Sequence, residues 1–332
     1  MKERSPSPRW RGLNVFGADL RADGQIAVSQ SRDAAGREQL RLSDPATGRP
    51  IGAPARHHPG WYVFSFAFSP DGRSFATGSH PPRIPTGELR LWDTNTGELL
   101  FPPIPHTNHV SAIAFHPDGK LVATGDYNGQ VRTWDLSTGR EIGRPLYQGG
   151  AIVLALSFSP DGKILAVGLS IERALKPGTQ LWDVTTRQRI GELLPSTEDI
   201  RRIVFRPDSR ALLAGTNGWT RLWDTIGGQA LTEQLIQEEA GGFRRDGHAF
   251  LTVGADGTVK IRDATTGEVL GRFLTSSSPA TCAAFRGADG LVAAGFDDGA
   301  VRLYDPATNQ PVGPPRFLRH TLARVAFTSD GR

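Results

Sequence analysis

Apolar residues along this chain come in short runs, and each run is cut off by a turn-forming pair. Residues 110–115 (Val-Ser-Ala-Ile-Ala-Phe) lead into Asp118-Gly119, residues 121–124 (Leu-Val-Ala-Thr) into Asn128-Gly129, and residues 131–135 (Val-Arg-Thr-Trp-Asp) into Thr138-Gly139. Asp-Gly and Asn-Gly between apolar runs mark hairpins, because glycine enters positive φ without steric cost and Asp or Asn bonds its own backbone. The pattern predicts three short antiparallel strands and a fourth from Glu141 to about Leu146, a four-stranded meander.

The unit repeats. Trp-Asp or a weaker echo of it places an Asp at 44, 93, 135, 183, 224, 263 and 305, at intervals of 39 to 49 residues. A second marker recurs in register at Asp23-Gly24, Asp71-Gly72, Asp118-Gly119, Asp161-Gly162, Asp208-Ser209, Asp246-Gly247, Asp289-Gly290 and Asp330-Gly331. A period of about 40 to 45 residues with Trp-Asp near its end is the signal of stacked four-stranded sheets.

First strands are apolar on both sides, with Phe64, Phe66 and Phe68 alternating with small Ser65 and Ala67. Such strands must be covered on both faces. Fourth strands carry or precede prolines (Pro50, Pro102, Pro145, Pro311), which confines them to an outer edge. The turn before the fourth strand holds Gly48, Gly97, Gly139, Gly228, Gly267 or Asn309, and Arg187 is the exception. Sheets with two apolar faces have to stack on one another and close radially.

With Phe-Ser-Pro-Asp-Gly at 68–72 and 158–162 and four Trp-Asp pairs, the chain resembles the tryptophan-aspartate (WD) repeat β-propellers from about residue 15 onward. The resemblance implies an all-β propeller of four-stranded antiparallel blades, seven complete, plus the first strand of an eighth. Its boundaries are a tail at 1–12, the propeller at 13–320 and an incomplete further repeat at 321–332. Within a blade the resemblance also implies a hydrogen-bonded set of His, Thr or Ser, Asp and Trp. The third unit offers His106, Thr124 and Trp134 with Asn128 at the Asp position, and the second offers His58, Thr77 and Trp92. Trp182, Trp223 and Tyr304 are the matching core positions of later blades. Either seven blades close and the segment from Leu322 to Phe327 dangles, or the chain is cut from a longer array, and the end inside a hairpin favours the second.

Composition changes this picture little. The chain of 332 residues carries 38 basic and 34 acidic groups, a net +4 too small to argue a phosphate-binding stripe. Only five of the basic residues are Lys, and Arg41, Arg90, Arg132, Arg221 and Arg302, with Lys260, recur two positions before the Trp place. That spacing shares a strand face, which makes them parts of the blade. The single Cys282 excludes an intrachain disulfide or cysteine metal site. No apolar run is long enough to span a bilayer and the start shows no secretory segment, so a cytoplasmic setting is expected. No phosphate loop, nucleophile elbow or zinc spacing appears, so neither enzyme, metal nor cofactor is expected.

Function is expected in the loops. Three second-to-third connections are long, at 31–38, 80–87 and 170–178, and carry Arg32, Arg37, Arg83, Arg173 and Lys176. Trp61, His109 and Trp219 lie near the same end by strand geometry. Irregular additions to a rigid scaffold are where binding usually resides, and Arg and aromatic side chains anchor interfaces. The expectation is a noncatalytic scaffold binding a protein or peptide, with acidic or phosphorylated segments favoured by the arginines. The alternatives are a regulatory region of a larger signalling protein such as a kinase, and a propeller enzyme.

Overall fold

A computed structural model of the protein describes residues 15–317 except 21–24, 33–37, 45–46, 48, 53, 148, 171–176, 233–234, 255, 274–277 and 288–289. The expected tail at 1–12 and the start of a further repeat at 321–332 lie outside the described residues. The described elements are β-strands in seven antiparallel sheets, blades one to seven, at 15–56, 62–106, 110–147, 153–195, 202–224, 239–273 and 280–317. No helix among the described residues is long and apolar enough to cross a membrane. Two compact units part between Ile113 and Ala114, inside the first strand of blade three.

In the first unit, blade two runs Tyr62–Phe68, Ser74–His80, Gly87–Asp93 and Ile104–His106, in chain order across the sheet. Val28, Leu40 and Leu42 of blade one pack against Val63, Phe75 and Trp92 of blade two in one core. Each such side chain, fully buried, contributes roughly 1.5–3 kcal/mol. Gly78 stands where a Cβ would come within 2.7 Å of Val110 Cγ1, so only glycine lets the next first strand approach.

One expectation fails in this unit. Val63 pairs with Ser79 and Ser65 with Gly78, which makes Phe64 the extra residue of a β-bulge. The bulge breaks the alternation, so Phe64 is 53% and Tyr62 42% exposed rather than covered. First strands at 153–158 and 280–285 carry the same irregularity.

The second unit repeats the packing. Ala166 and Leu181 of blade four meet Ile203, Leu212 and Trp223 of blade five. Leu213 and Leu222 of blade five meet Phe250 of blade six, whose Leu251 and Val259 in turn meet Val292 and Phe296 of blade seven. Sheets with two apolar faces are therefore satisfied in both units by stacking. Cys282 is buried and forms no disulfide.

Both repeat markers act as turn hardware. Asp71, Asp118, Asp161, Asp208 and Asp246 each accept the backbone N–H two residues on. The next residue takes positive φ, including Ser209 at 64°. The Asp of the Trp-Asp marker does the same for the third-to-fourth turn, with Asp93, Asp135 and Asp263 each accepting two backbone N–H groups. Arg187, the expected exception, does enter the left-handed region at φ 59°. Its guanidinium reaches blade three, donating to Thr133 Oγ1 at 3.0 Å, which offsets the strain.

Outer strands are the irregular part. In blade seven Gln310–Pro311 and Arg316–Phe317 both pair with Ala300–Asp305, because the prolines between them cannot donate. Blade five departs from the four-stranded expectation. Among the described residues its third strand, Thr220–Asp224, meets outer partners only at Trp223 with Ala230 and Thr220 with Ile236, pairings three residues apart on the strand and six apart on the outer side.

Candidate functional site

The long connection of blade two is held in a defined shape. His109 Nε2 donates to the Ile84 carbonyl at 3.0 Å, and the His109 ring stacks on His80 with centroids 3.8 Å apart. Inside the loop the Thr86 N–H donates to the same carbonyl at 2.8 Å. Arg83 sits at φ 65° and is exposed, and Ile84 is 54% exposed. Tyr62 and Phe64 both lie against His80, at ring distances of 5.9 and 5.5 Å. A pinned loop tip and an exposed aromatic pair thus share one place.

Beneath that loop lies a buried polar set. His57 Nδ1 donates to Ser79 Oγ at 2.8 Å, Ser79 Oγ donates to Glu88 at 3.2 Å, and Arg90 Nε donates to the same carboxylate at 2.6 Å. Burial pushes the His57 pKa below its ordinary value, against its Glu88 interaction, so the ring is neutral at pH 7. Sequence pointed to His58 here, and the structure corrects it. His57 presents its edge to Trp92, whereas the His58 side chain is 55% exposed and packs on Trp61, with centroids 4.9 Å apart.

Register explains the hydrogen-bonded set across blades. Trp92 donates from Nε1 to Thr77 Oγ1 at 2.9 Å, and Trp134 to Thr124 Oγ1 at 3.0 Å. Phe250 pairs with Arg262 as Val122 pairs with Trp134, so Arg262 occupies the Trp place of blade six. Its Nε donates to Thr252 Oγ1 at 3.0 Å, in place of the indole N–H. The carboxylate that neutralises it is Glu238, just before the first strand Glu239–Phe243, bonded also to Thr252 and Lys260. Burial pushes the Glu238 pKa up, but hydrogen bonds from Lys260, Thr252 and Arg262 outweigh it and hold the group below its ordinary range. Blades four, five and seven put Val167, Ala214 and Ala294 at the Thr place.

This ionic set lines a cavity of about 960 Å³ together with Leu231, Thr232, Leu235 and Ile236. Asp256 and Glu268 also line it.

Of the expected site residues, Arg83 and His109 come together on the blade-two loop. Trp61 is half-buried on His58, and Trp219 is half-buried in a turn where its carbonyl accepts from the Thr216 N–H at 2.8 Å. The backbone of Arg32 pairs with Glu38, which extends a strand into the expected first insertion. Arg37, Arg173 and Lys176 lie outside the described residues. Trp182, Trp223 and Tyr304 are buried as expected, with Arg189 and Arg221 over the two indoles at 5.3 and 4.9 Å. The Asn128 N–H donates to Asp126, and this acid, not Asn128, is the buried carboxylate of that turn. His106 ends an outer strand, its Nδ1 donating to the Ile104 carbonyl at 3.2 Å. Sequence reasoning missed Tyr62, Phe64, Glu238 and Arg262. An acid ahead of the first strand together with Arg at the Trp place was the available signal for the last two.

Residues 51–93 and 98–135 match the family model described as WD domain, G-beta repeat. Those two stretches carry WD repeats. Autophagy-related protein 16 of Arabidopsis thaliana is 26% identical over 224 residues, 65% of this chain and 43% of that protein. The matched region is thus less than half of that relative's length. The crystal structure of the computationally designed Ika8 protein superposes with a TM-score of 0.76 at 21% identity, covering 97% of this chain and 93% of that one. That likeness concerns the fold alone, which is of the β-propeller class.

Proposed function

We propose that this WD-repeat protein is a noncatalytic interaction scaffold that docks a peptide or partner domain on the face carrying its long connections. The observation that carries the reading is the pinned 80–87 loop, which displays Arg83 and Ile84 beside exposed Tyr62 and Phe64. A loop already fixed in shape loses little entropy on binding. Exposed apolar side chains clustered beside a forked cation are the usual anchors of an interface. The arginine favours an acidic or phosphorylated segment flanked by an apolar side chain.

The test is quantitative capture from native lysate by immobilised wild-type chain and by a variant whose 81–86 segment is replaced with an Asn-Gly turn. Partners that bind wild type and are lost from the variant, with an unchanged melting temperature, support the reading. Identical recovery by both removes this loop from the docking face.

A further inference from the structure

We infer that the outer edge of blade seven holds a second binding site, one that takes the carboxylate of a glutamate side chain on a partner peptide. A cavity of about 470 Å³ opens there, lined by Arg302 and Tyr304 of the third strand and by Asn309, Pro311, Gly313 and Pro315 of the outer arc. Among the described residues that line it, Arg302 is the one that carries a charge.

Blade three shows what such a place accepts. The outer arcs of the two blades share one register: Trp134 pairs with Glu141 and Val131 with Leu146, as Tyr304 pairs with Pro311 and Val301 with Arg316. In both, the next residue of the arc donates back to the strand at 2.8 Å, the Ile142 N–H to Thr133 and the Val312 N–H to Leu303. A glycine at positive φ follows, Gly143 at 67° and Gly313 at 77°. In blade three Glu141 turns its carboxylate to Arg132, accepting from Nε at 2.9 Å and from Nη2 at 2.5 Å. Blade seven keeps the arginine, as Arg302, and puts Pro311 where that acid stands. Proline supplies no carboxylate, and at this place the arc encloses the cavity.

The donors at the cavity are set by the blade. Arg302 lies over the ring of fully buried Phe296, 5.5 Å from its centroid, and hydrogen-bonds the Tyr304 hydroxyl. Tyr304 is buried, and burial pushes its pKa above the ordinary value against the bond from Arg302, so the hydroxyl stays protonated at pH 7. A guanidinium beside a phenolic O–H offers a carboxylate a charged fork and a neutral donor together. A cavity of this size lies in the range that holds a side chain with its flanking backbone. The ligand's glutamate thus takes the part that Glu141 plays in blade three.

The probe is an N-terminally fluorescein-labelled pentapeptide, Gly-Ala-Glu-Ala-Gly, amidated at its C-terminus and read by anisotropy. Versions with Gln at the centre, with phosphoserine at the centre, and with Gln and a free C-terminus separate a side-chain carboxylate from phosphate and from a terminal carboxylate. The glutamate peptide is expected to bind about tenfold tighter than each, as a hydrogen bond to a charged group requires. Arg302→Met is expected to abolish that preference. Pro311→Glu is the second variant, at an exposed position where blade three already carries glutamate, so the fold accepts it. With the place filled by the chain's own carboxylate, binding is expected to be lost while the melting temperature is unchanged or raised. No binding by wild type, equal affinity for the Gln version, a preference for phosphoserine or the free terminus, or binding unchanged in Pro311→Glu overturns the proposal. The blade-two loop variant leaves this binding unchanged, so failure here and failure of the docking loop are separate results.

Discussion

Blades three and six solve one structural problem with opposite chemistry. At equivalent register, Trp134 in blade three and Arg262 in blade six each offer a planar N–H donor to a buried threonine hydroxyl, at 3.0 Å in both. The indole does this as a neutral group that also fills core volume, with Arg132 lying over its ring at 4.5 Å. The guanidinium brings a charge, which obliges blade six to bury Glu238 and to recruit Lys260. Where a threonine stands opposite, the position thus takes a flat N–H donor rather than tryptophan as such. The ionic set also lines the cavity beside it.

The two solutions differ most when broken. Trp134→Ala removes a large buried side chain and leaves a void, with an expected cost of about 3–5 kcal/mol in chemical denaturation. An unchanged midpoint removes Trp134 from the core. Glu238→Gln leaves two cations buried without compensation, and about 3 kcal/mol is expected by the same measurement. A loss below about 1 kcal/mol means that solvent already screens the set.

Acid separates them further. The folded Glu238 pKa lies below its unfolded value, so the native state binds fewer protons through that interval. Its contribution is complete above the ordinary carboxylate range and is lost as pH falls through the folded pKa. Melting temperature should fall in this window for wild type and less steeply for Glu238→Gln, while Trp134→Ala keeps the wild-type slope. Parallel slopes for wild type and Glu238→Gln contradict the ionic account.

The smallest effect concerns Asp126 in blade three. Burial raises its pKa above the ordinary range against hydrogen bonds from Gln130 and Asn128, so its favourable term exists only below the unfolded pKa and is lost as pH rises through the folded one. Asp126→Asn keeps an oxygen for both backbone donors and should stabilise by about 0.5–1 kcal/mol at pH 7, less in acid. A destabilised variant at pH 7 would show that the charge is favourably solvated.

The repeated turns and sheets were legible in sequence because each depends on a local rule. Asp208-Ser209 could stand in for Asp-Gly since Asp208 still caps the turn. Phe64 was misread because a bulge is a pairing irregularity with no mark in an alternating pattern. The choice of His57 over His58 rests on which neighbour enters the core, a tertiary matter. Arg83 and His109 were chosen for residue type and position, but the contact that links their segments, His109 to the Ile84 carbonyl, spans 25 residues. Glu238 escaped because the expected partner at its position was histidine, and only register revealed that Arg262 had exchanged the chemistry of the whole set.

The most direct measurement is a double-mutant cycle on Glu238→Gln and Arg262→Met by urea denaturation at pH 7. A shared buried ion pair predicts that the double variant is less destabilised than the sum of the singles, by a coupling of about 2–3 kcal/mol. Additive losses, with coupling below about 0.5 kcal/mol, would contradict the claim that blade six replaces the tryptophan network with an ionic one.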